Sequence, residues 1–145
     1  MENEIEILLV EDNPNDAEMT IRALKKNHMA NRIIHLKDGA EALDFIYGKG
    51  AFEGRDINAI PKVILLDLKM PKVDGMEVLR NLKSNELTKT IPIVILTSSK
   101  EDPDIKACYE LGVNSYIVKP VGFENFLKAI LELGFYWLIL NQNPK

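Results

Sequence analysis

Val63-Ile64-Leu65-Leu66-Asp67-Leu68-Lys69-Met70-Pro71-Lys72-Val73-Asp74-Gly75 is the stretch on which the fold turns. Four apolar residues in a row, two of them β-branched, read as a strand buried on both faces, which is the habit of parallel sheets. The acid that follows ends the strand. Asp74, with Glu77 three residues on, marks a helix start by a capping box. Working outward, the same grammar recurs at Ile5–Val10, Arg32–Leu36, Ile93–Thr97 and Ser115–Val118. Helices are signalled between them by Asn13 before Pro14, by Asp38 with Glu41, and by Asp102 before Pro103. The last of these is expected to stop at Gly112, a residue suited to the left-handed conformation that closes a helix. Five β-then-α units in one chain predict an α/β fold, a doubly wound five-stranded parallel sheet with right-handed crossovers.

The chain has 145 residues, 46% hydrophobic and 28% charged, so residues 1–145 are expected to make a single domain. Two stretches stand outside the repeating plan: residues 48–60, expected to be a flexible loop, and an apolar extension over about 134–145. A net charge of −4 and a pI near 5.3 argue against direct DNA binding. The longest apolar run, Phe135–Leu140, is six residues, far short of the roughly 20 that a membrane-spanning helix needs. An acidic amino terminus and a single cysteine, Cys108, point to a reducing cytoplasm.

In a doubly wound sheet, ligands bind beyond the carboxyl ends of the strands. Those ends carry Glu11 and Asp12, then Asp67 and Lys69, then Thr97, then Lys119-Pro120. Three carboxylates crowded on one edge need positive charge, since burying them unpaired costs several kcal/mol each by rough reckoning. Lys119 supplies one charge, and a divalent cation with oxygen-only ligands, Mg2+ or Mn2+, supplies the rest. Such a site suits phosphoryl chemistry, with Asp67 as carboxylate nucleophile and Thr97 placed to donate to a phosphoryl oxygen.

The run Asp67-Leu68-Lys69-Met70-Pro71-Lys72-Val73-Asp74-Gly75 resembles the phosphoacceptor signature of response-regulator receiver domains, and the resemblance extends from about Ile5 to about Leu133. It implies a flavodoxin-like (CheY-like) sheet in strand order 2-1-3-4-5. Glu11-Asp12 resembles the family's acidic pair, Thr97 its hydroxyl switch, Tyr116 its aromatic switch, and Lys119-Pro120 its lysine followed by a cis peptide bond. By the same resemblance Asp12, Asp67 and the backbone carbonyl of Lys69 hold the metal, with Glu11 acting through water. The implied function is a single-domain phosphorelay switch that accepts a phosphoryl group from a sensor histidine kinase, with at most slow self-dephosphorylation. The long 48–60 connection and the Phe135-Tyr136-Trp137-Leu138 tail are most similar to stand-alone receivers that partner phytochrome-type kinases.

Blander readings stand beside each of these. Glu11-Asp12 alone fits a solvated turn, Thr97 a strand-terminal hydroxyl bonded to its own loop, and Tyr116 simple packing. Gly48, Gly50 and Gly54 resemble a dinucleotide loop, but they follow a helix and have Glu53 where a third glycine belongs. His28 and His35 fit surface and strand-packing roles, and Cys108 a small buried thiol. An aspartyl-phosphate phosphatase would carry a second acid two residues after Asp67, where this chain has Lys69. A flavin or nucleotide binder would not present Glu11, Asp12 and Asp16 to a phosphate, and the complete acceptor set argues against a non-phosphorylated scaffold. The tail, apolar in every direction, either folds back over the domain as a strand-like arm or meets another chain, a second copy in a homodimer or a docking partner.

Overall fold

In the structure, a computed structural model that describes residues 7–26, 32–70, 73–113 and 115–132, the apolar runs become strands and the capped stretches become helices. The elements follow as β1 (Ile7–Val10), α1 (Pro14–Lys26), β2 (Ile33–Leu36), α2 (Gly39–Tyr47), a short 3₁₀ turn (Gly50–Phe52), β3 (Val63–Asp67), α3 (Gly75–Lys83), β4 (Ile93–Thr97), α4 (Asp104–Glu110), β5 (Ser115–Val118) and α5 (Phe123–Glu132). All strand pairs are parallel and the sheet runs β2-β1-β3-β4-β5. Ile5 and Glu6, expected in the first strand, and His28 lie outside the described residues.

Side chains alternate across a sheet, and here the two sets bury against different helices. Leu8, Val10, Ile64, Leu66 and Ile95 pack with Ala42, Phe45, Leu79, Leu82 and Cys108 of α2, α3 and α4. Ile7, Leu9, Val63, Leu65, Val94 and Leu96 pack with Ala17 and Leu24 of α1 and with Phe126 and Ala129 of α5. The central strands therefore have no polar face to spare, so polar chemistry is pushed to their ends. Cys108 sits where expected, buried with Sγ 3.5 Å from Met76 Sδ, and burial pushes its thiol up to about 11, so it is unreactive at neutral pH.

The caps hold the strand-to-helix turns in place. Asn13 Oδ1 accepts the Asp16 N–H at 2.9 Å, Asp38 Oδ1 the Glu41 N–H at 2.7 Å, and Asp74 Oδ1 the Glu77 N–H at 3.0 Å. Glu41 returns its bond to the Lys37 N–H at 2.8 Å, one residue before the cap. The expected start of α4 shifts: Asp102 Oδ1 accepts the Asp104 N–H at 2.9 Å in a tight turn, and the helix opens only at Asp104. At its other end Gly112 takes φ 107°, as the stop requires.

The 48–60 connection, expected to be a flexible loop, is tied to α2 by side-chain contacts. Arg55 lays its guanidinium 4.0 Å from the Phe45 ring centroid and donates to the carbonyls of Phe45 at 3.0 Å and Ala59 at 2.5 Å. Phe52 meets the same ring edge-on at 5.1 Å. One cation stacked on an aromatic, with two main-chain bonds, thus joins the connection to α2 and to itself.

Candidate functional site

Parallel pairing in register brings the ends of β1, β3, β4 and β5 to one edge, and the expected residues meet there. Glu11 follows β1 and is fully buried; Asp67 ends β3 and is 3% exposed; Asp12 faces solvent. One oxygen from each of these three carboxylates lies within 4.8 Å of the others. Lys119, just after β5, reaches in with Nζ 3.2 Å from Glu11 Oε1, 3.1 Å from Asp16 Oδ2 and 3.4 Å from Asp67 Oδ2. Its main chain is tied as well, the Lys119 N–H donating to the Thr97 carbonyl at 2.7 Å. The Lys119–Pro120 peptide bond is cis.

The electrostatics follow from this crowding. Burial, reinforced by the neighbouring Asp67 carboxylate, pushes Glu11 up to about 7. Asp12 is raised too, by desolvation and then by the Asp67 charge. For Lys119, burial works to lower the pKa, but the charges of Asp67 and Glu11 and the bonds to Asp16 and Glu11 outweigh it and hold the ammonium above the ordinary lysine range. One lysine thus faces more negative charge than it can balance. The donors are all hard oxygens, part buried and part open, and that set fits Mg2+ or Mn2+.

Asp67 is held by its own loop. Its Oδ1 accepts the Lys69 N–H at 3.2 Å, while the Lys69 ammonium turns away to Asp104 at 3.5 Å. Gly75 is required behind it, because a Cβ at that position would run into the Asp67 carbonyl oxygen and Leu68 Cα. Thr97 is buried at the end of β4 with its Oγ1 3.0 Å from the Ser99 carbonyl and 3.3 Å from Asp102 Oδ2, so its hydroxyl is engaged by its own loop. Tyr116 is not drawn into the cluster. Its half-buried ring stands edge-on to Tyr109, with centroids 6.4 Å apart.

Three contacts went unread in the sequence. Asp16, a first-turn acid of α1, is the nearest partner of Lys119. Asp102, read as a helix start, is also an acceptor beside Thr97. His35, expected only to pack, places Nε2 2.8 Å from the Glu11 carbonyl. The spacing of Asp16 from Glu11 and Asp12 was the available signal for the first, since a helix beginning at Pro14 returns its first-turn side chains toward the strand end it left.

Comparison with known proteins places the chain among response regulators. It is 42% identical over 138 residues, 95% of its length and 86% of the relative's, to the probable methanogenesis regulatory protein FilR2 of Methanothrix harundinacea. To the response regulator Rcp1 of Synechocystis it is 39% identical, over 91% of this chain and 88% of that one, and Rcp1 has been solved in a Mn2+-bound form (TM-score 0.74). The bacteriophytochrome response regulator AtBRR superposes with TM-score 0.85 at 50% identity, covering 92% of this chain and 95% of that one. Receiver domains bind Mg2+ or Mn2+ in an acidic pocket, which is what Glu11, Asp12 and Asp67 form here. The family model for the response regulator receiver domain matches residues 7–131, from the first strand through nearly all of the last helix, and with the sheet order and the lysine-bridged acids it establishes that this chain belongs to the response regulator receiver domain family.

Proposed function

We propose that the chain is a stand-alone receiver, a single domain with an apolar extension over about 134–145, whose Asp67 accepts a phosphoryl group from the phosphohistidine of a phytochrome-type sensor kinase. Receiver domains in general are phosphoacceptor switches that partner histidine kinases. The observation that carries the reading is Lys119, held at 3.1 to 3.4 Å from Glu11, Asp16 and Asp67 at once. An Asp67 carboxylate oxygen attacks phosphorus, the P–N bond breaks, and its electron pair goes to the departing imidazole. Lys119 sets its charge beside Asp67 Oδ2, where charge on the incoming group must be countered. Glu11, Asp12, Asp67 and the Lys69 carbonyl are the groups assigned to a divalent cation, which when bound neutralises phosphoryl oxygens. Thr97 then donates to the phosphoryl group, and Tyr116 carries the change to the surface made by α4, β5 and α5.

The reading is a switch rather than a turnover enzyme, because Lys69 stands where an aspartyl-phosphate phosphatase carries its second acid. The acidic balance suits a protein partner rather than DNA, and the free thiol of Cys108 suits a reducing cytoplasm. Incubation with Mg2+ and acetyl phosphate, followed by intact-mass measurement, is expected to add one acid-stable, base-labile phosphoryl group. No adduct from acetyl phosphate or from a phosphorylated histidine kinase would rule the reading out.

Two further outcomes follow. Asp12→Ala removes an exposed ligand without disturbing the core, so calorimetric titration should show Mg2+ affinity lowered about tenfold or more, and unchanged affinity would remove Asp12 from the metal site. The run Phe135–Leu140, with Leu131 already 53% exposed at the end of α5, supports a homodimer. Light scattering should then give a larger mass for the full chain than for a version ending at Gly134; two monomers would refute the pairing.

A further inference from the structure

Thr97 is 2% exposed, and its hydroxyl has one proton to give. Both acceptors in reach belong to the loop between β4 and α4: the Ser99 carbonyl at 3.0 Å and Asp102 Oδ2 at 3.3 Å. The Ser99 N–H in turn lies 3.4 Å from Thr97 Oγ1, so the hydroxyl is closed into its own loop as donor and acceptor. Asp102 is itself anchored, since its other oxygen accepts the Asp104 N–H at 2.9 Å. Its free oxygen therefore has a fixed position beside Thr97.

We propose that Asp102 is a positioning residue that latches the Thr97 hydroxyl to the β4–α4 loop and so competes with a phosphoryl group on Asp67 for the same proton. The inference rests on the reading of Asp67 as acceptor. A hydroxyl cannot donate fully to a phosphoryl oxygen and to Asp102 together, so the phosphorylated state must release the latch. The single proton is shared between the nearer Ser99 carbonyl and the carboxylate oxygen of Asp102, and both contacts must loosen before the hydroxyl can turn to a phosphoryl oxygen. A state held closed by such a bond lowers the apparent affinity for whatever requires it open.

Asp102→Asn separates the latch from the turn. The amide keeps an oxygen for the Asp104 N–H but presents a donor to Thr97 Oγ1 in place of an acceptor. Beryllofluoride, a tetrahedral mimic of a carboxylate-bound phosphoryl group, is titrated calorimetrically with Mg2+ present into the full chain, into Asp102→Asn, into Thr97→Val and into the double variant. Asp102→Asn is expected to tighten binding about 2- to 10-fold, the range of one hydrogen bond, and to change nothing when Thr97 is already Val. Unchanged affinity in Asp102→Asn overturns the latch. So does equal tightening in the Thr97→Val background, which would reduce the effect to removal of a charge. If instead the unaltered chain fails to bind beryllofluoride, or Asp67→Asn binds it equally well, the acceptor reading fails and the latch falls with it.

Discussion

Asp67→Asn is expected to leave no phosphoryl group on the chain after incubation with Mg2+ and acetyl phosphate, while far-ultraviolet circular dichroism stays unchanged. The replacement is nearly isosteric and keeps an oxygen that can accept the Lys69 N–H, so the turn after β3 survives. What it removes is the anionic nucleophile, and losses on removing a nucleophile run to at least about 10³-fold. Asp67 is also the neighbour whose carboxylate helps to raise Glu11 and Asp12, so neutralising it relieves like-charge repulsion in a site that Lys119 alone underbalances. Stability should therefore not be the reason for any loss of phosphorylation, and thermal melts of the two proteins separate the two causes. An adduct of undiminished amount on the variant would place the acceptor elsewhere, with the exposed Asp12 the first residue to test.

The strands and the residues gathered at their ends were legible in the sequence for one reason. A central strand of a parallel sheet has no solvent face, so Val63–Leu66 and Ile93–Leu96 appear as unbroken apolar runs, and the first polar residue after each marks the sheet edge. Asp67 and Thr97 were found by that rule before any resemblance was invoked. Caps were legible because their partners are three residues apart in the chain. Contacts between distant segments were legible only where both partners stand at strand ends, as Lys119 does with Glu11 and Asp67. Lys119 and Asp16 lie 103 residues apart, and the one local hint, the spacing of Asp16 from Glu11 and Asp12, does not by itself separate it from a first-turn acid that only complements a helix dipole.

Arg55 is a second case of a partner the local sequence does not announce. Its surroundings are rich in glycine and mixed charge, and its guanidinium meets an aromatic ring contributed by α2 ten residues earlier. Thr97 shows a third kind of limit. Its position was legible, but the partners of its hydroxyl depend on how the β4–α4 loop folds back. That is set by the Asp102 turn, a feature the sequence presents simply as a helix start.

Lys119→Met should have its cost decided by pH. The ammonium is 17% exposed and the two acids it shares across the strand ends, Glu11 and Asp67, are 0% and 4% exposed at the side chain. Met fills the space of the stem but leaves those carboxylates facing each other with no counter-charge. Breaking a buried ion pair by removing one partner costs about 3 to 5 kcal/mol, and that is the loss expected in urea unfolding at pH 8 without divalent cations. Acid offers the variant an escape. Glu11 has a folded pKa of about 7, above its ordinary 4.5, so the stability linked to its protonation is complete below about 4.5 and is lost as pH rises through about 7. The Lys119 charge is one of the influences that lower Glu11, so its removal raises that pKa further and extends the window upward. At pH 5 the Glu11 carboxyl is then neutral in both proteins, and the difference between them should shrink to less than half of its value at pH 8. Mg2+ added at pH 8 should recover part of the loss, because a cation bound to the native acids stabilises the folded state in proportion to the logarithm of its excess over Kd. A loss of equal size at pH 5 and pH 8 would mean that Lys119 matters for packing rather than for charge, and the electrostatic account of the site would have to be abandoned.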